Sequence, residues 1–343
     1  MTLVERARDI ADNVLFPAAL AVDVADRIPP EHLNLLAAEG FYGAPADPDL
    51  DLAGIAAIVE ALASGDMATT LVWIQHLTPV MALLGEKSPL ADTWLPALVA
   101  GERRGGIALA GIRPTNNFLR VRDSGGDFVL DGTVPWVTGW GMIDVLYVAA
   151  RDADDVVHFL LMDAPEDRRG GAALGSNTTT PTVRTETQRL VALQASNTVN
   201  VTFDAHVVPG HRLVSRIPFD EWKSSDSGGS ALNGFLALGI VRRCVSLLRG
   251  GPGESDGDAL ATSADACRTA LLGADAAGTP VARAAASELA WRAAATLTAW
   301  QGARSVLRTN QAQRLVREAT FTMVFGSRPA IRDALLDRLA RSA

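Results

Sequence analysis

The sequence predicts an α+β protein in three parts: helices to about residue 104, a β domain over 105–214, and helices again over 215–343. Three observations predict it. Up to Val99, apolar residues recur at helical spacing, as in Ile10, Val14, Leu15 and Ala18. From Gly105 the period shortens. In Asn197-Thr-Val-Asn-Val-Thr-Phe203, Val199, Val201 and Phe203 share one face, and Asn200 and Thr202 the other. From Ser230 a helical stripe returns in Leu238, Val241, Val245 and Leu248.

Ile28-Pro-Pro30 breaks the first helical stretch, and Pro30–Glu39 restarts it with Gly40 as the stop. A helix over Leu52–Ser64 ends at Gly65-Asp66, another spans Ala68–Leu84 and closes at Gly85, and a third covers Pro89–Val99. Ile107–Ala110 is a short apolar run before a turn-like Gly111–Asn117. Strands are expected at Phe118–Asp123, Phe128–Leu130, Val145–Ala150 and Val156–Met162, with loops and short strands over 167–187. Gly250-Gly-Pro-Gly253 ends the first C-terminal helix. Helices at Leu260–Leu272, Val281–Gln301, Gln311–Val324 and Pro329–Leu339 follow.

Hydrophobic residues make up 48% of the chain and charged residues 20%, which is the composition of a packed globular protein. A net charge of −8 argues against nucleic acid as the main partner, because neutralising phosphates needs a basic face. Cys244 and Cys267 sit in no metal-ligand spacing, and Cys244 falls on a helical stripe as a small core residue. The acidic run Asp152-Ala-Asp-Asp155 reads as a solvated hairpin tip, and no metal site is expected. Met1–Arg8 has no long apolar run, and no stretch reaches the roughly 18 apolar residues of a membrane span. The expectation is a cytoplasmic protein.

The stretch from Gly132 to Arg151 holds the most chemistry. Phe128–Leu130 is expected to turn at Asp131-Gly132 and run back through Trp136-Val-Thr138, since Asp-Gly between apolar runs marks a hairpin. Two residues apart in a strand, Trp136 and Thr138 would share a face. An aromatic wall beside a hydroxyl suits a planar, partly polar cofactor such as a flavin. The same spacing also describes a core tryptophan beside a sheet threonine.

Five phrases in order resemble the acyl-CoA dehydrogenase family. Pro30-Glu-His-Leu-Asn-Leu-Leu-Ala-Ala-Glu-Gly-Phe-Tyr-Gly43 is similar to its P-x-x-h-x-x-L-a-x-x-G-l-x-G, and Leu95-Pro-Ala-Leu-Val-Ala-Gly-Glu102 to its Y-L-P-x-l-a-x-G-e. Trp136-Val-Thr138 looks like its W-I-T/S. Ser196-Asn-Thr-Val-Asn-Val-Thr-Phe-Asp-Ala-His-Val-Val-Pro209 resembles S-x-T-x-x-v-x-F-d-d-v-x-V-P, and Arg314-Leu-Val-Arg-Glu-Ala319 resembles e-R-x-x-R-D-A. The resemblance implies a middle β-barrel-like domain, a C-terminal four-helix bundle and FAD held between them. It also implies a small-molecule substrate such as an acyl-CoA, and a homodimer or homotetramer. In the family a carboxylate removes the substrate's α-proton while the flavin takes the β-hydride. Carried onto this chain, the flavin contacts would be the main chain of Leu109, Ala110 and Gly111, then Trp136, Val137 and Thr138. Arg249 would meet the pyrophosphate, and Gly302 a neighbouring subunit's cofactor.

The departures concern chemistry. Counting nine residues from Arg317, where the family keeps its glutamate, lands on Gly326. The alternative base position, near the start of the first C-terminal helix, reads Ser227-Gly-Gly-Ser-Ala-Leu-Asn-Gly234, again without a carboxylate. Glu221 and Asp226 are the nearest acids upstream. Ala110-Gly-Ile-Arg-Pro-Thr-Asn-Asn117 replaces T-E-P-x-x-G-S-D, Gln301-Gly302-Ala303-Arg304 replaces Q-x-x-G-G-x-G, and glycines follow Arg249.

His76 is the alternative catalyst, by analogy with monooxygenases of this fold; a satisfied core histidine is the plainer reading. His32, His206 and His211 read as solvated, and His158 can face either way. Three functions remain open: a flavin oxidoreductase on an acyl thioester or related molecule, a flavin-dependent monooxygenase, and a non-catalytic or half-active subunit pairing with a complete homologue.

Overall fold

The computed structural model describes residues 1–86, 88–112, 118–164, 181–225 and 231–341. Thr2 and Glu5 cap the first helix reciprocally: the Thr2 hydroxyl accepts from Glu5 N–H at 3.2 Å, and the Glu5 carboxylate accepts from Thr2 N–H at 2.8 Å. Helix α1 (Leu3–Ile10) continues through a π-helical turn, Ala11–Leu15, into α2 (Phe16–Asp23). Then come α3 (Pro30–Ala38), α4 (Leu52–Gly65), α5 (Met67–Leu84) and α6 (Pro89–Val99). Asp51, Asp66 and Ser88 cap the last three. Contrary to expectation, α5 is long and apolar enough to cross a membrane. Yet 78% of it is buried inside the protein, because α5 lies between two layers and needs apolar residues on every side.

Among the described residues, eight strands form one sheet: β1 (Gly105–Ala108), β2 (Arg120–Ser124), β3 (Asp127–Val137), β4 (Val145–Arg151), β5 (Val156–Asp163), β6 (Val183–Thr187), β7 (Val199–Val208) and β8 (Leu213–Pro218). The order is β6-β7-β3-β2-β4-β5-β8, with β1 parallel to β4. Leu146, Val148 and Ala150 pack into a core on one face, while Val145, Tyr147 and Ala149 meet α5 and α6 on the other. β8 pairs with β5, so the sheet extends to Pro218, past the expected boundary at 214.

The hairpin expected at Asp131-Gly132 is not there, because β3 runs straight through it. The turn falls instead at Gly125 and Gly126, at φ +69° and +94°, between Ser124 and Asp127. Two glycines at positive φ supply the tight turn that β2 and β3 need. Gly132 answers a different need, for a Cβ there would lie 2.9 Å from the Phe118 carbonyl oxygen.

C-terminal to the sheet come α7 (Phe219–Ser225), α8 (Gly234–Arg249), α9 (Glu254–Gly273), α10 (Thr279–Gln301), α11 (Gln311–Val324) and α12 (Pro329–Leu336). The N-terminal and C-terminal helices share one apolar core that runs from Ala7 to Ala319. They approach closely at Gly239, where a Cβ would lie 2.5 Å from that of Ala63. Only glycine lets α8 sit so close to α4. Arginines staple the same seam. Arg243 donates to Ser64 O at 2.7 Å and pairs with Asp12, and Arg268 forks onto Glu60 at 2.8 and 2.9 Å. Arg314 and Glu318 form a buried pair at 2.5 Å within α11; burial pushes the Glu318 carboxyl up to about 7, and Arg314 opposes that.

His76 sits inside this frame at 0% exposure, with its Nε2 buried and without a hydrogen-bond partner among the described residues. Its Nδ1 accepts from Gly105 N–H at 2.8 Å, tying α5 to the start of β1, and its ring meets Tyr42 edge-on at 4.6 Å. Burial pushes its pKa down to about 4. His32 is also buried, with Nδ1 3.5 Å from Thr69 Oγ1, contrary to the solvated reading. Cys244 is a core residue as expected.

Two outcomes follow from these buried groups. Arg314→Met should cost about 3–5 kcal/mol in urea denaturation by stranding a buried carboxylate, and Arg314→Met/Glu318→Leu should recover most of it. His76 is held neutral, so its contribution is complete above about pH 6.5 and is lost as pH falls through about 4. Wild type should lose roughly 3 kcal/mol more than His76→Gln between pH 7 and pH 4. Parallel denaturation curves for the two at every pH would refute this role.

Candidate functional site

Trp136 lies in a bulge at the end of β3. Val134 pairs with Val201 and Val137 with Val199, so Pro135 and Trp136 together face Asn200. The bulge breaks the strict alternation on which the expected shared face of Trp136 and Thr138 rests. Trp136 is turned outward at φ +62° and is 60% exposed, whereas Val137 and Thr138 are buried. A bulky residue at positive φ is strained, and such strain collects at ligand sites. What results is a bare indole wall next to a recessed hydroxyl.

The segment Gln194–Thr198 holds this hydroxyl from behind. Leu193 and Asn197 adopt left-handed conformations, at φ +59° and +42°, on either side of a single helical turn. Ser196 O accepts from Gly139 N–H at 2.9 Å, and Asn197 Nδ2 donates to Trp140 O at 2.8 Å. Thr198 Oγ1 lies 3.2 Å from Thr138 Oγ1 and 2.9 Å from Ser196 Oγ. Ser196 and Thr198 belong to one of the five family-like phrases, but nothing in the sequence assigns them to the site. The left-handed residues that turn them inward are leucine and asparagine, and leucine gives no signal of that kind.

Leu109 and the helical turn Ala110–Ile112 pass close by, with Gly111 against Val134: a Cβ there would lie 2.8 Å from its Cγ2. Gly111 O is taken by Leu119 N–H at 2.8 Å. Residues 113–117 of this loop lie outside the described residues.

Arg249 and Gly302 lie elsewhere. Arg249 Nε donates to Asp258 at 2.8 Å on the surface, and Gly302, at φ +60°, ends α10. They share one end of the bundle, where Trp300 Nε1 donates to Asp256 at 2.7 Å. Among the described residues, no hydrogen bond or ion pair joins either to Trp136–Thr138.

The two base positions do converge. Gly326 has φ +57°, and a Cβ on it would meet Asn233 Nδ2 at 3.3 Å. Arg283 seals this junction, its Nη2 donating to Phe325 O at 3.0 Å and its Cδ lying against Gly234. Burial and the neighbouring Arg328 push its pKa down to about 10, which leaves it charged at neutral pH. No carboxylate stands at this junction among the described residues. Glu221 is exposed on α7, packed beside β8 and β5, and Asp226 lies outside the described residues. Of the remaining histidines, His158 turns inward, its Nε2 2.7 Å from Asp152, while His206 bonds Thr182 and His211 is exposed. Among the described residues, no group of acids, histidines and cysteines is arranged to hold a metal.

Comparisons with known proteins agree with this architecture. The family model described as acyl-CoA dehydrogenase, N-terminal domain, matches residues 1–102. The mitochondrial short-chain specific acyl-CoA dehydrogenase of Bos taurus is 25% identical over 227 residues, or 61% of this chain; the match spans 52% of that relative's length. Butyryl-CoA dehydrogenase from Megasphaera elsdenii superposes with a TM-score of 0.82 at 16% identity, covering 97% of this chain and 95% of that one. A glutaryl-CoA dehydrogenase from Mycobacterium smegmatis, in complex with FADH2, gives 0.80 at 16% identity, covering 99% and 94%. Residues 1–102 thus match the acyl-CoA dehydrogenase N-terminal domain model, and the chain takes the fold of the acyl-CoA dehydrogenases on which it superposes.

Proposed function

We propose that this protein is a FAD-dependent oxidoreductase acting on an acyl thioester or a related small molecule, with no carboxylate in the family's usual base position. The observation that carries it is Trp136, strained and 60% exposed beside the buried Thr138 hydroxyl. These residues fit a flavin: the indole gives a wall for the ring system, Thr138 an edge hydrogen bond, and Leu109 and Ala110 main-chain contacts. FAD, when bound, supplies hydride acceptance. Arg249 and Gly302 sit together at the far end of the bundle, which suits contacts made across a homo-oligomer.

The carboxylate-free junction of Gly326 and Asn233 supports a second reading, a flavin-dependent monooxygenase, because oxygen chemistry needs no α-proton base. It also suits a subunit that pairs with a complete homologue.

Purified protein should carry a flavin absorbance spectrum, or gain one on incubation with FAD. Protein that stays colourless at saturating FAD would overturn both enzyme readings. Gly326→Glu should bring little turnover with short-chain acyl-CoAs and an artificial electron acceptor, since a side chain at φ +57° is strained and crowds Asn233. Substantial turnover would show an intact acyl-thioester pocket lacking only its base.

A further inference from the structure

Three hydroxyls behind the indole form a single file: Ser196 Oγ, Thr198 Oγ1 and Thr138 Oγ1, linked at 2.9 and 3.2 Å. Ser196 is 0% exposed, and Thr198 and Thr138 are also buried. Each hydroxyl has one proton to donate. Two links use two protons, so one proton is left over, either at an end of the file or on buried Thr198 if both neighbours donate to it. Neither end has another hydrogen-bond partner among the described residues. If the file runs inward, the spare proton sits on Ser196, sealed from solvent and without an acceptor. If it runs outward, the spare proton sits on Thr138, which keeps 6% exposure where Ser196 has none. A buried donor without an acceptor is costly, so the outward direction is favoured by roughly tenfold or more.

We infer that Ser196 and Thr198 are positioning residues that commit the Thr138 hydroxyl to donate outward, so that the site takes a ligand presenting a hydrogen-bond acceptor there. This rests on the flavin reading and deepens it. An oxidised flavin offers an unprotonated ring nitrogen as acceptor, and the reduced ring carries a proton at that place. A committed donor therefore favours the oxidised cofactor and lowers its midpoint potential. Thr198 is the hinge of the file, because it both accepts from Ser196 and donates to Thr138.

The test compares wild type, Thr198→Val, Thr198→Ala, Thr198→Ser and Thr138→Val by FAD titration and by redox titration of the bound flavin. Thr198→Val should bind FAD on the order of tenfold more weakly and shift the midpoint potential upward, and Thr198→Ser should behave as wild type. Thr138→Val should shift the potential the same way, and Thr138→Val/Thr198→Val should add nothing further. Thr198→Ala serves the same purpose if the valine variant does not fold. A folded Thr198→Val or Thr198→Ala protein with wild-type affinity and potential overturns the inference and leaves the flavin reading standing. A wild type that binds no FAD overturns both.

Discussion

Everything at the site depends on Arg317. From α11 its guanidinium forks onto Asp23 at 2.9 and 2.6 Å and also donates to Val191 O at 2.7 Å. One side chain thereby holds the end of α2, the C-terminal bundle and the segment that leads into Ser196. Ile28 N–H, donating to Ala195 O at 3.1 Å, fastens the same segment from the N-terminal side. A planar, permanently charged fork suits this position, since it fixes two partners in one geometry. The phrase Arg314-Leu-Val-Arg-Glu-Ala319 is therefore structural in this chain: Arg317 spans regions, and Arg314 is turned inward onto Glu318.

That fixing is what lets the β3 end stay strained. A tryptophan at positive φ relaxes unless its surroundings hold it. Here Gly139 and Trp140, which follow it, are bound to Ser196 and Asn197 through the main chain. The backbone is pinned on both strands of the bulge. Strain, exposure of the indole and recess of the hydroxyl are one arrangement, maintained from the far side by α2 and α11.

Period and punctuation made the architecture legible. Helix, sheet and helix followed from the change in apolar spacing, and most helices followed from a glycine stop or a capping residue. What the sequence did not reveal was local choice between rival turn signals. Asp131-Gly132 has the residues of a hairpin turn, yet β2 and β3 join at Gly125-Gly126, which the strand pattern passes over. Gly132 answers to a close approach by Phe118, a tertiary cause that no short-range pattern encodes. The same holds at the site. Trp136, Thr138 and the absent glutamate were visible as residue types, but the bulge that separates Trp136 from Thr138 depends on register against β7. The file of hydroxyls depends on two left-handed residues that carry no glycine to announce them. Helix α5 shows the converse, an apolar run that composition alone cannot tell from a membrane span.

The junction of Gly326 and Asn233 differs from a base site in charge as well as in residue type. A general base that removes a carbon-bound proton near neutral pH works best when its pKa is raised, which calls for apolar surroundings or a like charge. The described charges at this junction include the guanidinium groups of Arg283 and Arg328; burial lowers the Arg283 pKa to about 10, still high enough to keep it ionised. Opposite charges lower a carboxyl's pKa, whereas burial raises it. Among the described residues, then, Gly326 and the Asn233 amide stand where the resemblance would set a proton acceptor, and burial, charge and backbone conformation all bear on what an acid placed there could do.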